Sequence, residues 1–416
     1  MSEVHNPKET GPLQGLKVID LSHIMAGPAC SMLLADMGAD VIKVEKMPGG
    51  DDARRMVPPT VAGESAAFLI MNRNKRGIAL NLKTESGREA LSRLLKDADV
   101  LIENYRLGTM EKMGFGYDSL HALNPKLIYC SISGFGRTGP YADRGGFDLV
   151  AQGMSGLMSI TGEGKGGPPM KAGAPLTDIT AGILACVGIL AALHARASSG
   201  QGQKVDTSLF EAGITHTYWH SAICLATGQA PGPMGSAHPL NAPYQAFPTS
   251  DGWITVGAAN QENWLRLLEA LEAPELRDDP RFLNNAERMR NLSALTSTLS
   301  PLFQHRTLAD WLSRLEKCGV PAGPVLDIAQ MHEDPQALAR EMIVETDHPV
   351  AGKVKSIGLP IKFSDTPGSV RSAAPVFGQH TREVLLEVGF SDSEIDQMAA
   401  NGAVQIPVPA KKGAIR

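Results

Sequence analysis

Asp178 stands at the head of the longest charge-free apolar stretch of the chain. The stretch runs from Ile179 to Ala195 and contains only Thr180 and His194 as polar residues. This pattern predicts a helix that is buried on nearly every side, and an acid in its first turn would meet unpaired backbone N–H groups and the positive end of the helix dipole. Such an acid is either a helix cap or a carboxylate held ionised for chemistry, and these residues alone favour the cap.

A glycine-rich motif follows a predicted strand but does not meet the requirements of a dinucleotide site. The segment Gly134–Gly139 (GFGRTG) matches the pattern GxGxxG. That pattern holds a pyrophosphate only when a helix opens at the loop, and Pro140 followed by Gly145 and Gly146 argues against a helix here. We therefore expect neither a nicotinamide nor a flavin cofactor.

Two histidines would share a helix face if one helix ran through both of them. His216 and His220 lie four residues apart, but no glutamate follows His216 and no third ligand is in view. Tyr218 and Trp219 favour a helix that packs an aromatic face, so no metal is expected. His238 lies in a Gly/Pro-rich segment where a polar ring has no packing role, which makes it a candidate for substrate contact.

The sequence does not indicate a serine or cysteine nucleophile of a hydrolase. It contains no GxSxG elbow, and its five cysteines are scattered, without a CxxC pair or metal-ligand spacing. They lie in apolar segments, where a thiol is unreactive. We expect them to be reduced, buried residues of a cytosolic protein.

The composition limits the possible partners. The chain has 416 residues, 43% hydrophobic residues and a formal net charge of -5, which indicates a soluble globular protein too long for one ordinary core. No Lys/Arg block occurs outside the tail residues Lys411, Lys412 and Arg416, so nucleic acid is not an expected partner. The first ten residues lack a signal peptide's apolar segment, and the apolar stretch falls short of the roughly 20 residues of a membrane span. We expect a cytoplasmic protein with no membrane partner.

The elements that must position these residues alternate between strand and helix. Lys17–Leu21 predicts a strand, residues 27–37 a helix and Asp40–Val44 a second strand, which completes a βαβ unit. Further predictions are strands at Gly77–Leu82, Asp99–Asn104 and Lys126–Ser133, and Thr84 as the N-cap of a helix through Lys96.

This alternation predicts an α/β fold with a Rossmann-like, mostly parallel sheet covered on both faces. Ligands of such sheets lie outside the carboxyl ends of the strands. The loops after Leu21, Val44, Asn104 and Ser133 are therefore the expected place of a site.

Changes in composition along the chain predict two domains. Residues 1–223 are assigned to a large α/β domain, 224–330 to a smaller α/β domain and 331–416 to a C-terminal return to the large domain. Residues 224–241 are expected to form a loop, and Tyr244–Ala258 predicts a hairpin around residues 250–252. Trp264–Leu271 and Leu308–Leu315 predict amphipathic helices.

A basic cluster lies between two predicted elements of the large domain. Asn72–Arg76 (NRNKR) is either a solvated loop or, together with Lys43, Lys46, Arg54 and Arg55, a site for the phosphates of a cofactor.

Seven segments resemble those of one enzyme family, in the same order. They are Leu16–Pro28, Gly38–Asp51, Asn72–Ile78, Asp99–Gly108, Met113–Gly116, Ser131–Tyr141 and Gly378–Thr381. Together they make the chain similar to the class III CoA-transferases, of the formyl-CoA transferase and carnitine-CoA transferase type, over nearly its whole length. The resemblance implies coenzyme A thioesters as substrates, no metal and an interlocked homodimer.

The resemblance also assigns roles to single residues. The family's nucleophile is an aspartate after a short Pro-containing loop at the start of a long apolar helix, and Asp178 after Ala174–Thr177 fills that place. Gly136, Arg137 and His238 are assigned to substrate contacts. The CoA site is assigned to His23, Ile24, Met25, Lys46, Asn74, Lys75, Asn104, Tyr105, Lys112 and Met113.

The implied reaction moves CoA from an acyl-CoA, with succinyl-CoA expected, to a dicarboxylic acid. A carboxylate with a reference pKa of about 3.9 is ionised at pH 7, so Asp178 is expected to attack the thioester without a general base. A mixed anhydride and an aspartyl-CoA thioester would follow. Backbone N–H groups at the helix start or in Gly134–Gly139 are alternative oxyanion donors, and Gly235–His238 is a candidate lid.

Two departures separate the chain from the oxalate-using members of the family. Their glycine-rich lid is replaced by Gly235–His238, and Met25 stands where they carry glutamine. His238 with Pro243–Phe247 is more similar to the succinate–hydroxymethylglutarate (glutarate) CoA-transferase branch. A formyl/oxalate-type transferase stays an alternative, as does an acyl-CoA racemase. Racemases on this fold carry a histidine at the position of Phe147. A phenylalanine side chain cannot take a proton, so the second base of a racemase is missing here.

Overall fold

The computed structural model describes residues 11–407, so the first ten residues and the tail residues Lys411, Lys412 and Arg416 lie outside this range. Within it the chain divides into two units. The first contains the described residues up to Ser155, Gly173–His216 and the described residues from Pro335 onward. The second contains Gly156–Ala172 and Thr217–Asp334.

Strands and helices follow each other in short order along the chain. The strands are β1 (Lys17–Asp20), β2 (Asp40–Lys46), β3 (Thr60–Val61), β4 (Glu64–Ser65), β5 (Lys75–Leu80), β6 (Val100–Glu103), β7 (Ile128–Ser133), β8 (Lys204–Ser208), β9 (Tyr244–Pro248), β10 (Trp253–Gly257), β11 (Ala322–Pro324), β12 (Ile343–His348), β13 (Gly352–Ile357) and β14 (Val404–Gln405). The helices are α1 (Ala26–Asp36), α2 (Ala66–Met71), α3 (Glu85–Lys96), α4 (Thr109–Lys112), α5 (Tyr117–Leu123), α6 (Asp148–Met154), α7 (Leu157–Ile160), α8 (Leu176–Ser199), α9 (Leu209–Thr215), α10 (Tyr218–Thr227), α11 (Gln261–Leu271), α12 (Asn285–Arg290), α13 (Leu292–Gln304), α14 (Leu308–Lys317), α15 (Ile328–Glu333), α16 (Pro335–Ala339), α17 (Thr381–Glu387) and α18 (Asp392–Ala400). Two 3₁₀ helices span Asp52–Arg55 and Pro274–Arg277.

A seven-stranded sheet organises the first unit, in the order β14-β5-β2-β1-β6-β7-β8. Every neighbouring pair is parallel except β14 with β5. β1 lies between β2 and β6, with Ile19 opposite both Ile42 and Leu101. The strand order therefore reverses direction between β1 and β6, which is the position where open α/β sheets form a crevice for ligands.

Alternate residues of the strands belong to two separate cores. Val18, Val41 and Val100 pack with α1 and α8, whereas Ile19 and Ile42 pack with α3, α17 and α18. A strand's side chains point to opposite faces in turn, so apolar residues at successive positions require helices on both faces. The predicted α/β fold with a mostly parallel, doubly covered sheet is confirmed.

Helix α8 is buried less completely than its sequence predicted. Ala181, Ala185 and Ile189 lie on a buried face that packs against α1 and β7, but Ile183 is 45% and Val187 56% exposed. The expectation of burial on nearly every side is wrong, because apolar composition cannot show which faces of a helix its own unit covers. Among the described residues, α8 is the one helix long and apolar enough to cross a membrane by length and composition.

The second unit contains the three-stranded antiparallel sheet β11-β10-β9. Its hairpin β9–β10 and the helices α11 and α14 match the predicted hairpin and amphipathic helices. Phe247, Trp264, Phe303 and Trp311 are buried in one core. The Trp311 indole N–H donates to the Phe303 carbonyl at 2.7 Å, so its polar atom has a partner inside this core.

The bounds of the second unit differ from the predicted domain bounds. The unit begins at Thr217, ends at Asp334 and includes Gly156–Ala172. Helix α10 extends to Thr227, into the segment expected to be a loop, and ends at Gly228, whose φ of 71° is a left-handed helix cap.

Candidate active site

A cavity of about 440 Å³ lies in the first unit at the carboxyl ends of neighbouring strands. The loops after β1, β2, β6 and β7 all contribute to it, as do the segment before α6 and the first turn of α8. These four loops are the ones that the strand order predicted from sequence. The cavity is lined by His23, Ile24, Met25, Ala26, Lys46, Asp52, Asn104, Tyr105, Arg106, Leu107, Ile132, Ser133, Gly134, Arg137, Ala142, Asp143, Arg144, Gly145, Gly146, Phe147, Asp178 and Leu209.

The loop after β1 has a conformation that its own sequence does not favour. Ile24 has a φ of 68°, and this left-handed conformation costs a non-glycine residue about 1–3 kcal/mol. Its N–H donates to Asp51 Oδ1 at 3.0 Å, and Asp51 forms a buried ion pair with Lys43 at 2.8 Å. Asn104 accepts from the His23 N–H and donates to the His23 carbonyl, both at 2.9 Å. The ion pair and the amide thus hold the loop against the cavity.

The His23 ring has one nitrogen engaged and one open. Its Nε2 lies 3.1 Å from Tyr105 Oη, whereas its buried Nδ1 has no hydrogen-bond partner in the described chain. Burial, followed by the charge of Lys43, lowers the pKa of His23, which favours the neutral ring. Nδ1 is therefore a buried polar atom without a partner in the described chain, on a residue that lines the cavity.

Lys75, which the resemblance assigns to the CoA site, does not line the cavity. It is buried, and its amine donates to Asp20 Oδ2 at 3.2 Å, to the Pro28 carbonyl at 3.1 Å and to Asn72 Oδ1 at 2.9 Å. All three amine donors are thus used inside the protein. Lys75 therefore links β5 to β1 through its contact with Asp20.

Three further residues of the assigned CoA set also lie outside the cavity lining. Asn74 is buried and donates to Asp36 Oδ1 at 2.7 Å. Lys112 is exposed at the end of α4, and Met113 packs against the core formed by Ile19 and its neighbours. The structure brings together the other six: His23, Ile24, Met25, Lys46, Asn104 and Tyr105.

Arg137 lines the cavity, and each of its three guanidinium nitrogens already donates one hydrogen bond. Its guanidinium donates to Glu103 Oε1 at 2.7 Å, to the Tyr105 carbonyl at 2.8 Å and to the Ser131 hydroxyl. Arg137 thus connects the loop after β7 to the loop after β6 through hydrogen bonds. Gly136 donates its N–H to Ser133 Oγ at 2.9 Å and is not part of the cavity lining.

Other cations of the cavity keep unused donors. Lys46 pairs with Asp52 at 2.9 Å, and both side chains are more than 40% exposed. The Arg106 side chain makes no hydrogen bond or ion pair with any described residue, and the Arg144 guanidinium lies 4.0 Å from the Tyr141 ring centroid. Sequence reasoning missed both arginines. The signal for Arg106 was its place directly after Asn104 and Tyr105, at the end of a strand.

Asp178 is the third residue of α8 and does not cap it. The N-cap position is Pro175, which makes no side-chain hydrogen bond. Asp148 provides the cap from another helix, since its Oδ1 accepts from the Thr177 N–H at 3.0 Å and from Thr177 Oγ1 at 2.8 Å. The cap prediction for Asp178 is therefore wrong, because a folded neighbour supplies what the helix's own sequence lacks.

The environment of Asp178 opposes its ionisation. Burial, followed by the charge of Asp148, raises its pKa to about 6. This reverses the expectation that the helix start keeps the carboxylate fully ionised. The position in the first turn is as predicted, but desolvation and a like charge outweigh the helix dipole there.

Glycines build the wall opposite the loop after β1. A Cβ on Gly134 would lie 2.6 Å from the Gly146 Cα, so the two backbones can approach only as glycines. No helix opens at Gly134–Gly139, as predicted, and α6 begins at Asp148. The N–H groups of Gly145 and Gly146 donate no hydrogen bond within residues 11–407. They are free to bind an oxygen in the cavity.

The histidines of the chain occupy separate places. α9 ends at Thr215 and α10 begins at Tyr218, so His216 and His220 do not share a helix face. His238 lies in the second unit, packed edge-to-face with Tyr244 and with its Nδ1 accepting from the Leu240 N–H at 3.1 Å. Tyr218 is 69% and Trp219 61% exposed, so the prediction that this aromatic face is packed is wrong within the described chain.

Comparison with known proteins identifies the family and the fold of the chain. Residues 13–381 match the family model described as CoA-transferase family III. The human succinyl-CoA:glutarate CoA-transferase is 37% identical over 404 residues, which covers 97% of this chain and 91% of that protein. The succinate–glutarate CoA-transferase of Agrobacterium fabrum is 41% identical over 388 residues, covering 92% of this chain and 97% of that protein. The crystal structure of a CAIB/BAIF family protein from Brucella suis has a TM-score of 0.82 and 42% identity, and covers 91% of this chain and 100% of that chain.

Proposed function

The chain belongs to CoA-transferase family III, and we propose that it moves CoA from succinyl-CoA to a dicarboxylic acid through covalent intermediates on Asp178. The observation that carries this proposal is the cavity, where the Asp178 carboxylate and the loops assigned to CoA share one wall. The dicarboxylic acceptor is supported by the relatives named for glutarate.

The proposed steps exchange one acyl bond for another at each stage. An Asp178 oxygen attacks the succinyl thioester carbonyl, the C–S bond breaks, and CoA leaves as thiolate with a mixed anhydride behind it. The thiolate then attacks the Asp178 carbonyl carbon and releases succinate, which gives an aspartyl-CoA thioester. The acceptor carboxylate attacks this thioester, the C–S bond breaks, and a second mixed anhydride and the CoA thiolate form. The thiolate then attacks the acceptor carbonyl of this anhydride, which gives the new acyl-CoA and frees the Asp178 carboxylate. No proton or external energy source is consumed.

The pKa of Asp178 suits this role. With a pKa of about 6 the carboxylate is about nine-tenths ionised at pH 7, so no general base is needed. The same shift makes it a stronger base, and therefore a better nucleophile, than an ordinary aspartate. Its desolvated setting also disfavours water, which would hydrolyse an anhydride.

The tetrahedral intermediates require donors for their oxyanions. The unused N–H groups of Gly145 and Gly146 lie in the same cavity as Asp178 and are the donors we propose. Lys46, Arg106 and Arg144 can bind the anionic groups of CoA and of the acceptor acid.

The acceptor profile with succinyl-CoA as donor tests the proposal. The protein is incubated with succinyl-CoA and, in turn, glutarate, other dicarboxylic acids of different length, oxalate and formate, and the new CoA thioesters are measured. We expect glutarate-length acids to be used best. Transfer to oxalate or formate alone would contradict the dicarboxylic assignment in favour of the oxalate type.

Asp178→Ala tests the nucleophile. Transfer should fall by about 10⁴-fold or more, because the residue that forms the covalent bond is gone. Intact mass should show a CoA adduct on the native protein incubated with succinyl-CoA and none on the variant. Retained exchange in Asp178→Ala would refute the assignment, and deuterium incorporation at the α-carbon without acyl exchange would favour the racemase alternative.

We also propose that the enzyme works as a homodimer. α6, α8 and α9 pack together and leave Leu149, Val150, Ile183, Val187 and Ile214 more than 40% exposed. Apolar patches of this kind are typical of association surfaces. Light scattering should give twice the 44.2 kDa of the chain, and Val187→Asp should shift the mass towards the monomer.

A further inference from the structure

Asp148 connects two elements of the site without lining the cavity. It is the first residue of α6, directly after Phe147, which does line the cavity. Its Oδ1 accepts the two hydrogen bonds from Thr177, and its Oδ2 accepts from Gln152 Nε2 at 2.8 Å. Both oxygens accept and neither donates, as an ionised carboxylate does.

The Thr177 contacts fix the turn that carries the nucleophile. The first N–H groups of a helix lack intrahelical partners, and Pro175 at the N-cap supplies none. Thr177 is fully buried, and its hydroxyl and N–H both end on one oxygen of Asp148. Asp178 is the next residue, so the orientation of its side chain depends on these two hydrogen bonds.

The same contact brings two carboxylates near each other with no cation between them in the described chain. Asp178 forms no ion pair, and Asp148 is the charged group that acts on it besides burial. The cations elsewhere in the cavity lining, such as Lys46, are not among the groups that shift the pKa of Asp178. The inference rests on the function proposed above. In the covalent steps of that function, Asp178 loses its negative charge whenever it becomes an anhydride or a thioester, so its repulsion from Asp148 changes during the reaction.

We propose that Asp148 is a positioning residue of the transfer reaction: it holds the first turn of α8 through Thr177, and its negative charge favours acylation of Asp178. When Asp178 is acylated, the repulsion between the two carboxylates disappears. The covalent intermediates are thereby stabilised relative to the free enzyme. A neutral side chain of the same shape would cap α8 and orient Asp178 equally well, but it would not stabilise the covalent intermediates relative to the free enzyme.

Several other titratable or charged groups face this region and belong in the interpretation of any pH profile. His216, at the end of α9, places its Nε2 2.7 Å from Thr180 Oγ1 on α8. His23, Lys46, Arg106, Asp143 and Arg144 share the cavity wall with Asp178. Their contribution stays constant when only Asp148 is changed, so comparison of variants isolates the Asp148 charge.

The test compares four variants by the pH dependence of kcat/KM for CoA transfer. In the native enzyme the rate should rise with pH as Asp178 ionises, with a midpoint at about 6. Asp148→Asn keeps an acceptor for Thr177 but removes the charge. Its midpoint should move down by about 0.5 to 1 unit and its rate at pH 8 should fall by up to about 10-fold, since one pKa unit corresponds to a factor of ten.

The other variants separate charge from geometry. Asp148→Glu keeps the charge, so its midpoint should stay above that of Asp148→Asn while its rate falls. Thr177→Val removes one hydrogen bond and should slow the reaction by about 2- to 5-fold without moving the midpoint. Asp327→Asn, at the N-cap of α15 in the second unit, is the matched control and should leave the profile unchanged.

A midpoint unchanged in Asp148→Asn, or moved equally in Thr177→Val, would overturn the proposal. A second readout does not depend on activity: the pKa of Asp178 follows from the pH dependence of stability, measured with and without Asp178→Asn in the native and Asp148→Asn backgrounds. The pH-dependent difference should be smaller without the Asp148 charge, and equal differences would refute the proposal. A native protein that transfers no CoA would refute the proposed function, whereas this measurement would still decide the role of the charge.

Discussion

Asp20 and Asp178 are two carboxylates of the same unit with opposite surroundings. Asp20 is fully buried, bonded to Lys75 at 3.2 Å and to the hydroxyls of Ser22 and Ser31. Burial alone would raise its pKa, but Lys43 and Lys75 hold it well below its usual range. Asp178 is less buried and has no cation partner among the described residues, and its pKa rises to about 6.

The two carboxylates differ in their partners and in their place. Asp20 pairs with cations in the interior of the unit, whereas Asp178 lines the cavity and has no cation partner in the described chain. Asp20 joins β1 to β5 through its ion pair with Lys75, and the positive charges of Lys43 and Lys75 stabilise its ionised form. Asp178 faces the cavity with its charge opposed by burial and by Asp148. Depth of burial alone does not set the pKa here, because the more deeply buried acid has the lower pKa. The sign of the neighbouring charges decides the difference.

Removal of the charge of Asp20 should have the largest effect on stability. Asp20→Asn leaves Lys43 and Lys75 buried with one counter-charge fewer, which typically costs about 3–5 kcal/mol. Chemical denaturation followed by circular dichroism measures the loss, with Asp327→Asn as the control. A loss below about 1 kcal/mol would mean that Asp51 and the hydroxyls suffice for the two lysines.

The pH dependence of stability should distinguish the two acids by sign. The folded pKa of Asp178 is raised to about 6 from 3.8, so the folded state binds the proton more tightly than the unfolded chain. Relative to Asp178→Asn, the native protein should therefore lose stability as pH rises from about 4 to about 6, by about 3 kcal/mol at most.

Asp20 should behave in the opposite way. Its folded pKa is depressed, so its contribution is fully present above the ordinary pKa and is lost as pH falls towards the folded value. Denaturation of the native protein and both variants at a series of pH values from about 2 to 7 tests both statements, because the Asp20 contribution is lost only below about pH 4. A native-minus-Asp178→Asn difference that is flat over this range would contradict the raised pKa of Asp178.

The exposed pair Lys46–Asp52 should show the smallest effect. Both side chains are more than 40% exposed at the rim of the cavity, and exposed ion pairs contribute at most about 1 kcal/mol. Asp52→Asn should change the free energy of unfolding by less than about 0.5 kcal/mol. A loss of unfolding free energy as large as that of Asp20→Asn would show that solvent exposure does not distinguish the weak ion pair Lys46–Asp52 from the buried one.

The strands and the loops of the site could be predicted because their signals are local. KVID and DVIKV are short β-rich runs that are followed by turns or helices, and they form β1 and β2 within two residues of the predicted bounds. The loops that follow them converge on the cavity, since parallel strands end at one edge of the sheet. His23 and Asn104, which the resemblance assigned, lie in these loops, whereas Asp178 was found from its place at the head of the apolar helix.

Long-range partners could not be predicted in the same manner. Asp148 and Thr177 are 29 residues apart, and no pattern near either one indicates their hydrogen bonds. The buried roles of Asn74 and Lys75 depend on Asp36 and Asp20, which lie on other elements. The half-exposed face of α8 likewise depends on which neighbours pack against it.

The sequence by itself determined the alternation of elements, the apolar helix headed by Asp178 and, through its motifs, the family. These follow from spacing and residue type, which are properties of the chain alone. Only the tertiary structure decided that Asp148 caps α8, that Lys75 pairs inwardly and that the pKa of Asp178 rises. Electrostatic free energies depend on distance and on exclusion of water, and both are fixed only when distant segments pack together.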